Sequence, residues 1–289
     1  MAEVLSSFEQ YWWLIPAGFV LGAYGTLIGA GGGFVLVPLL LLLYPKEPPE
    51  IIVSISLAVV FLNAAAGSVA YGRKKRIDYK SGFIFSLATV PGAILGALTT
   101  AYIPRSLFDS VFGVLMILAS IYLLMYPKAA SQLGVSGPGG RAMKNSLSYT
   151  TRELVDGEGH AYKFNYNPAI GVGVSFLVGY VSSLLGVGGG FIHVPVLVNV
   201  LNFPVHIATA TSQFILAVMA FTGTLVHVVN GAFTHGVRRT IALGIGVIIG
   251  APLGAALSDR IHGDWIIRGL AVALGFVGIR ILFAAILQS

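Results

Sequence analysis

The chain has 289 residues, 56% of them hydrophobic and 10% charged, with a formal net charge of +6 and a mean hydropathy of +0.87. Soluble domains carry about a quarter of their residues as charges, so this composition excludes a water-soluble body and defines an integral membrane protein. There is no cysteine, which excludes disulfides, thiolate metal sites and thiol relays. The basic residues sit in short loops, where the charge bias that orients membrane proteins explains them better than nucleic acid does.

In chain order, apolar stretches fall at 11–44, 51–71, 81–102, 106–126, 168–201, 205–230, 237–257 and 265–287. Helices of about 20 residues cross roughly 30 Å of hydrocarbon, and the runs lack the alternation of a barrel wall. The N-terminal segment shows no basic region and no small-residue cleavage site, so it reads as retained. The interval 127–167 is rich in Gly, Ser, Lys and Glu and reads as a mobile extramembrane loop or small amphipathic insert. The expected fold is an all-α membrane protein of about eight transmembrane helices. They form two homologous four-span repeats, 1–126 and 168–289, joined by an extramembrane linker loop, 127–167.

The repeat rests on recurring phrases. "GAGGGFVLVP" at 29–38 returns as "GVGGGFIHVP" at 186–195, an offset of 157. "PPEIIVSIS" from Pro48 answers "PVHIATATS" from Pro204, pairing Gly67 with Gly223, and "GAILGA" at Gly92 answers "GAPLGA" at Gly250. Such steady offsets indicate duplication, a transporter signature. The loop "GRKKRIDYK" at 72–80 and the pair Arg238 and Arg239 mark two basic loops, both expected on the cytoplasmic side. Four spans per half would then give parallel repeats. The N-terminal tail disagrees, carrying Glu3 and Glu9 and no Lys or Arg.

The stretches 11–44 and 168–201 are each 34 residues long, and as straight helices would extend about 50 Å, well beyond the bilayer core. Each has its glycines near the middle and a proline five residues after the last of them, Pro38 and Pro195. Glycine weakens a helix and proline removes a backbone bond, so the first helix of each repeat is expected to break there. Broken backbone at membrane depth is tolerated only where it lines protein or a wet cavity. A helix N-terminus there offers unpaired amides to an anion. The candidate anion ligands are Gly31, Gly32, Gly33, Gly188, Gly189 and Gly190. Close helix packing is the alternative for such glycines, and it is the preferred reading for "GAILGA" and "GAPLGA".

None of the eleven acids lies in the middle of an apolar stretch, which disfavours a cationic substrate. Hydroxyls and amides do lie there: Thr211, Ser212 and Gln213 after the second phrase, and Ser56 at the matching place in the first half. Bonding back to their own helix is the alternative role for the hydroxyls. His193 beside the second phrase and His227 in the sixth stretch are candidates for substrate contact or proton coupling. Asn63, Asn199 and Asn230 read as helix-to-helix contacts, and Trp12, Trp13 and Trp265 as interface anchors.

The doubled glycine-proline phrase, the element ending in "ATATS" and the later "GAxLGA" resemble the TauE/SafE sulfite exporter family over both halves. The resemblance implies an eight-span permease of the inner membrane for small sulfur-containing anions such as sulfite, sulfoacetate or another organosulfonate. It carries over Gly29, Gly31, Gly32, Gly33, Gly186, Gly188, Gly189 and Gly190, with Thr211 and Ser212. The first half reads Ile55-Ser56 there, so only Ser56 matches. The expectation is a secondary transporter, an exporter rather than an enzyme, needing no cofactor, metal or nucleic acid and compatible with a homo-oligomer. An anion channel and a coupled importer of a small organic anion remain alternatives.

Overall fold

The computed structural model describes residues 11–125, 149–258, 271–272 and 274–283. Glu3, Glu9, Asp259, Asp264, Trp265 and most of the first part of the linker lie outside these residues. The elements in order are α1 (Leu14–Leu27), α2 (Gly33–Leu43), α3 (Pro49–Arg73), α4 (Tyr79–Thr100), α5 (Arg105–Met125), β1 (Thr150–Val155), β2 (Ala161–Tyr166), α6 (Pro168–Leu185), α7 (Gly190–Asn199), α8 (Val205–Val229), a 3₁₀ turn (Ala232–His235), α9 (Val237–Leu257) and α10 (Leu274–Phe283). Among the described residues, α3, α4, α6, α8 and α9 are long and apolar enough to cross a membrane. Prolines open several helices where an amide would be unpaired anyway: Pro49 starts α3, and Pro168 starts α6 behind Asn167, whose side chain accepts from the Ala169 amide at 3.0 Å.

The breaks expected in the first and fifth stretches are present, between α1 and α2 and between α6 and α7. At each break the chain turns back instead of crossing. Tyr44, at the end of α2, lies under the Arg239 guanidinium at 3.9 Å. Glu47 binds the same guanidinium at 2.8 Å, and Tyr11, ahead of α1, hydrogen-bonds it as well. Both ends of the 34-residue stretch therefore sit at one end of the molecule, the Glu47 end. The second pair opens the other way. Gly171 in α6 packs on Phe85 and Leu201, while Leu201 and Phe203 beyond α7 join Phe164 and Tyr166 of β2. That is the hairpin end.

The long helices follow from these ends. α3 runs from Glu50 to Lys74, and α8 runs oppositely, with Gly67 against Gln213 and Gly223 against Leu57. The first turn of α9 holds Arg239 beside Glu47, and its last turn holds Ala255, whose carbonyl accepts from Lys74 Nζ at 2.6 Å. The two basic loops thus lie at opposite ends, which corrects the expectation that both face the cytoplasm. The physical reason is that Arg239 is no free cation: Glu47 and the Tyr44 ring already neutralise it. The opposite directions of α3 and α8 do not fit the parallel repeats expected from four spans per half.

Helices of one half pack on the other. A methyl group on Gly92 or Gly96 of α4 would overlap the carbonyl oxygens of Phe176 or Tyr180 in α6. On Gly250 or Gly254 of α9 it would overlap those of Phe19 or Ala23 in α1. Small residues allow this backbone approach, as the "GAxLGA" spacing predicts. The linker holds a feature absent from an all-α fold, the antiparallel hairpin β1–β2 with Thr150 opposite Tyr166 and Val155 opposite Ala161.

Candidate functional site

The two glycine phrases form the tips of the reversing pairs, and the tips meet. Gly29, Gly31 and Gly32 have φ of 73°, 72° and 81°, and Gly186 and Gly188 have 68° and 69°, values that β-carbon-bearing residues rarely adopt. A methyl group on Gly33 would lie 2.5 Å from the Val187 carbonyl oxygen, and one on Gly190 would stand 2.6 Å from Ala30 Cα. Val60 of α3 and Leu216 of α8 wall the contact. Gly33, Gly188 and Gly190 therefore meet the other phrase directly, while Gly31 faces Val60 and Leu216, Gly32 faces Leu21 and Asn63, and Gly189 faces Val178 and Ser182.

The predicted hydroxyls hold the tips. Ser56 Oγ donates to the Gly186 carbonyl at 2.6 Å, and Ser212 Oγ donates to the Gly29 carbonyl at 3.2 Å, each reaching into the other half's tip. Gln213 Nε2 donates to the Gly25 carbonyl at 3.2 Å, the same oxygen that takes the Ala30 and Gly31 amides. Replacing Ser212 by alanine leaves the Gly29 carbonyl without this donor in a buried place. We expect a cost of about 1–2 kcal/mol, read as a lower midpoint of thermal unfolding in detergent.

Thr211 points elsewhere: its Oγ1 accepts from the Asp78 amide at 3.0 Å, at the foot of the hairpin. His193 is buried in α7 and shares a 3.1 Å hydrogen bond with Ser175 Oγ of α6. His227 lies far from the tips, fully buried, with Nδ1 3.9 Å from Glu50 Oε1 near the Glu47 end. The two coupling candidates therefore do not share one site.

Sequence reasoning named Asn63 as a helix-to-helix contact, which it is, without its spare donor, and missed two further groups. Thr26 Oγ1 donates to Asn63 Oδ1 at 3.0 Å, leaving Asn63 Nδ2 buried and without a partner. Asp78 receives Arg152 through two bonds, at 2.6 and 3.1 Å, and Ser81 Oγ at 2.5 Å. Burial pushes this carboxyl up, but the guanidinium and hydroxyl outweigh it and hold it below the usual carboxylate range. Finally, Asp156, Glu158 and His160 in the hairpin turn could bring three ligand atoms within 4.8 Å of one another. Arg76 already lies 3.4 Å from Asp156 and the Glu158 and His160 amides donate to it, so the cluster reads as a charge-satisfied turn. A hollow of about 560 Å³ on the outer face is lined by Tyr79, Lys80, Phe83, Ile84 and Phe214, none of them a predicted site residue.

Apolar helices that pack through glycine, with broken pairs meeting at their tips, describe a multi-pass membrane protein. Residues 14–281 match the family model described as "Sulfite exporter TauE/SafE", and the chain belongs to that family, one of membrane transporters and not of enzymes. It is 31% identical over 279 residues to the "Probable membrane transporter protein YunE" of Bacillus subtilis, covering 94% of this chain and 97% of that protein. A protein of Methanocaldococcus jannaschii with the same description is 24% identical over 283 residues, 93% and 94% of the two chains. One of Xylella fastidiosa is 30% identical over 253 residues, 86% and 83%. No solved structure matches the chain.

Proposed function

We propose that the protein is a secondary transporter that exports a small sulfur-containing anion, sulfite or an organosulfonate, held where the two glycine tips meet. The observation that carries this reading is the convergence of the first turns of α2 and α7 at one buried place. First-turn amides have no partner within their own helix, and the positive ends of the helix dipoles favour an anion. Neither glycine phrase contains an Asp or Glu. The ligand shell on this reading comprises Gly32, Gly33, Gly188, Gly189 and Gly190, with Ser56, Ser212 and Gln213 fixing the tips and Gly31, whose amide donates to the Gly25 carbonyl, shaping the turn. Thr211 acts through Asp78.

The halves 1–126 and 168–289 are read as two repeats of inverted direction around the linker 127–167. The mirrored pairs support this: Gly92 with Phe176 against Gly250 with Phe19, and Ser56 with Gly186 against Ser212 with Gly29. The hairpin end, with Arg73, Lys74, Lys75 and Lys80, is then cytoplasmic. Tyr11 lies at the opposite end, beside Arg239. The membrane is the cell's inner membrane on this reading.

With the cell interior negative, outward movement of one negative charge is favoured by about 2.3 kcal/mol per 100 mV, so export needs no coupled ion. Flux of sulfite or a short sulfonate from proteoliposomes should be saturable and should rise with an imposed potential, negative on the substrate side. Potential-independent flux would overturn uniport, and flux that follows a pH gradient would favour coupled uptake through His193 or His227. The tip contact argues against an open channel, since Gly190 and Ala30 leave no pore between them.

A further inference from the structure

The two tips are not equivalent. The rim of the α2 tip carries Asn63, fully buried, with Nδ2 unpartnered. A methyl group on Gly32, the residue preceding the first turn of α2, would lie 3.8 Å from that nitrogen. At the repeat offset of 156, Asn63 answers to Met219, and Gln213 answers to Leu57. The corresponding flank of α7 therefore has a thioether and an aliphatic chain where the α2 flank has two amides.

An amide nitrogen buried without a partner costs about 1–3 kcal/mol, and an amide group has shape-matched apolar replacements that would avoid the cost. Such an orphan asks for an explanation. Its neighbours supply one. Thr26 fixes the Asn63 carboxamide through Oδ1, which leaves the N–H side towards Gly32. Gln213 and two backbone amides fix the Gly25 carbonyl against the same turn. The donor is held in place with nothing to receive it.

We propose that the anion is held at the α2 tip, with Asn63 Nδ2 as a specificity-determining donor, and that the α7 tip serves mainly to close over it. This placement rests on the transport of an oxyanion proposed above. The Asn63 N–H and the α2 amides converge on one oxygen of the ligand, and separation of the tips admits it. A sulfite or sulfonate offers that oxygen and turns its further oxygens to the α7 amides, which a halide, accepting at a single centre, does not.

The test measures binding of sulfite and of ethanesulfonate to the full-length detergent-purified chain by titration calorimetry. Asn63→Leu should weaken sulfite binding roughly ten- to a hundredfold, the size of a hydrogen bond to a charged group, and once Thr26→Val removes the hydroxyl that the leucine strands the thermal midpoint without ligand stays or rises. A merely structural asparagine would lower that midpoint instead. Asn63→Asp, which keeps the shape and puts oxygen in place of the donor, should weaken binding at least as much. Ser182→Ala removes an unpartnered buried hydroxyl beside Gly189 at the α7 tip and should change affinity less than twofold. If Ser182→Ala costs more than Asn63→Leu, or Asn63→Leu binds as the wild type does, the placement is overturned while anion transport stands. If the wild type binds neither anion, both readings fall.

Discussion

Gly190→Ala is expected to destabilise the protein by roughly 3 kcal/mol or more and to abolish flux in proteoliposomes. The added methyl would overlap the Gly29 carbonyl oxygen and stand 2.6 Å from Ala30 Cα and from a Leu216 methyl. Two of these three atoms are backbone, held by the turn bonds from Ala30 and Gly31 to the Gly25 carbonyl. Overpacking commonly costs about 1–3 kcal/mol, and more where the neighbours cannot move. Gly173→Ala is the contrast. It lies inside α6 with nothing within 4 Å of the added carbon, and alanine gains about 1 kcal/mol over glycine in a helix interior. The first variant should melt earlier and carry no substrate; the second should melt slightly later and transport normally. Normal flux from Gly190→Ala would mean that the tips need not touch during transport.

The break itself was legible because glycine and proline act locally: the residues that end α1 and begin α2 are the residues that break a helix. The direction taken after the break was not. Thirty-four apolar residues fit one overlong crossing, and they fit equally a descent and a return, since hydropathy carries no sign of direction. The acidic tail was the available signal, but Arg238 and Arg239 spoke against it. Arg239 misled because its partner Glu47 lies 192 positions away, and counting loop charges treats every cation as free. Asn63 was seen only as a helix contact for the same reason, its meaning depending on Thr26 and Gly32 from another element. The hairpin was more visible. Tyr162, Phe164 and Tyr166 alternate with polar residues, and "DGEG" at 156–159 marks a turn, but the composition of the whole interval 127–167 hid the hairpin 150–166 within it.

The hairpin's anchorage bears on the proposed site and predicts a second large effect. Arg152→Met leaves the Asp78 carboxylate, 1% exposed, with Ser81 in place of a guanidinium. Breaking a buried pair costs about 3–5 kcal/mol, and because Arg152 is 21% exposed a value below that range, roughly 2–3 kcal/mol, is expected here. The cost should appear as rapid amide exchange across 150–166 and, through the Asp78 amide that donates to Thr211, as reduced flux. Asp78→Asn combined with Arg152→Met removes the stranded charge and should recover more than half of the stability. The exposed pair of Lys163 and Glu153 is the internal comparison, and Lys163→Met should leave the hairpin's amide protection unchanged, because solvent screens the pair. Acid gives the same result by another route. Because Asp78 is held below the usual range, its contribution is complete above the unfolded carboxylate value near 4 and is lost as pH falls through the lower folded value. Wild-type hairpin protection should therefore persist down to about pH 4 and fail below it. Arg152→Met should show little protection to lose, and equal protection in both proteins at neutral pH would show that the aromatic cluster of Phe164, Tyr166 and Phe203 holds the hairpin without the ion pair.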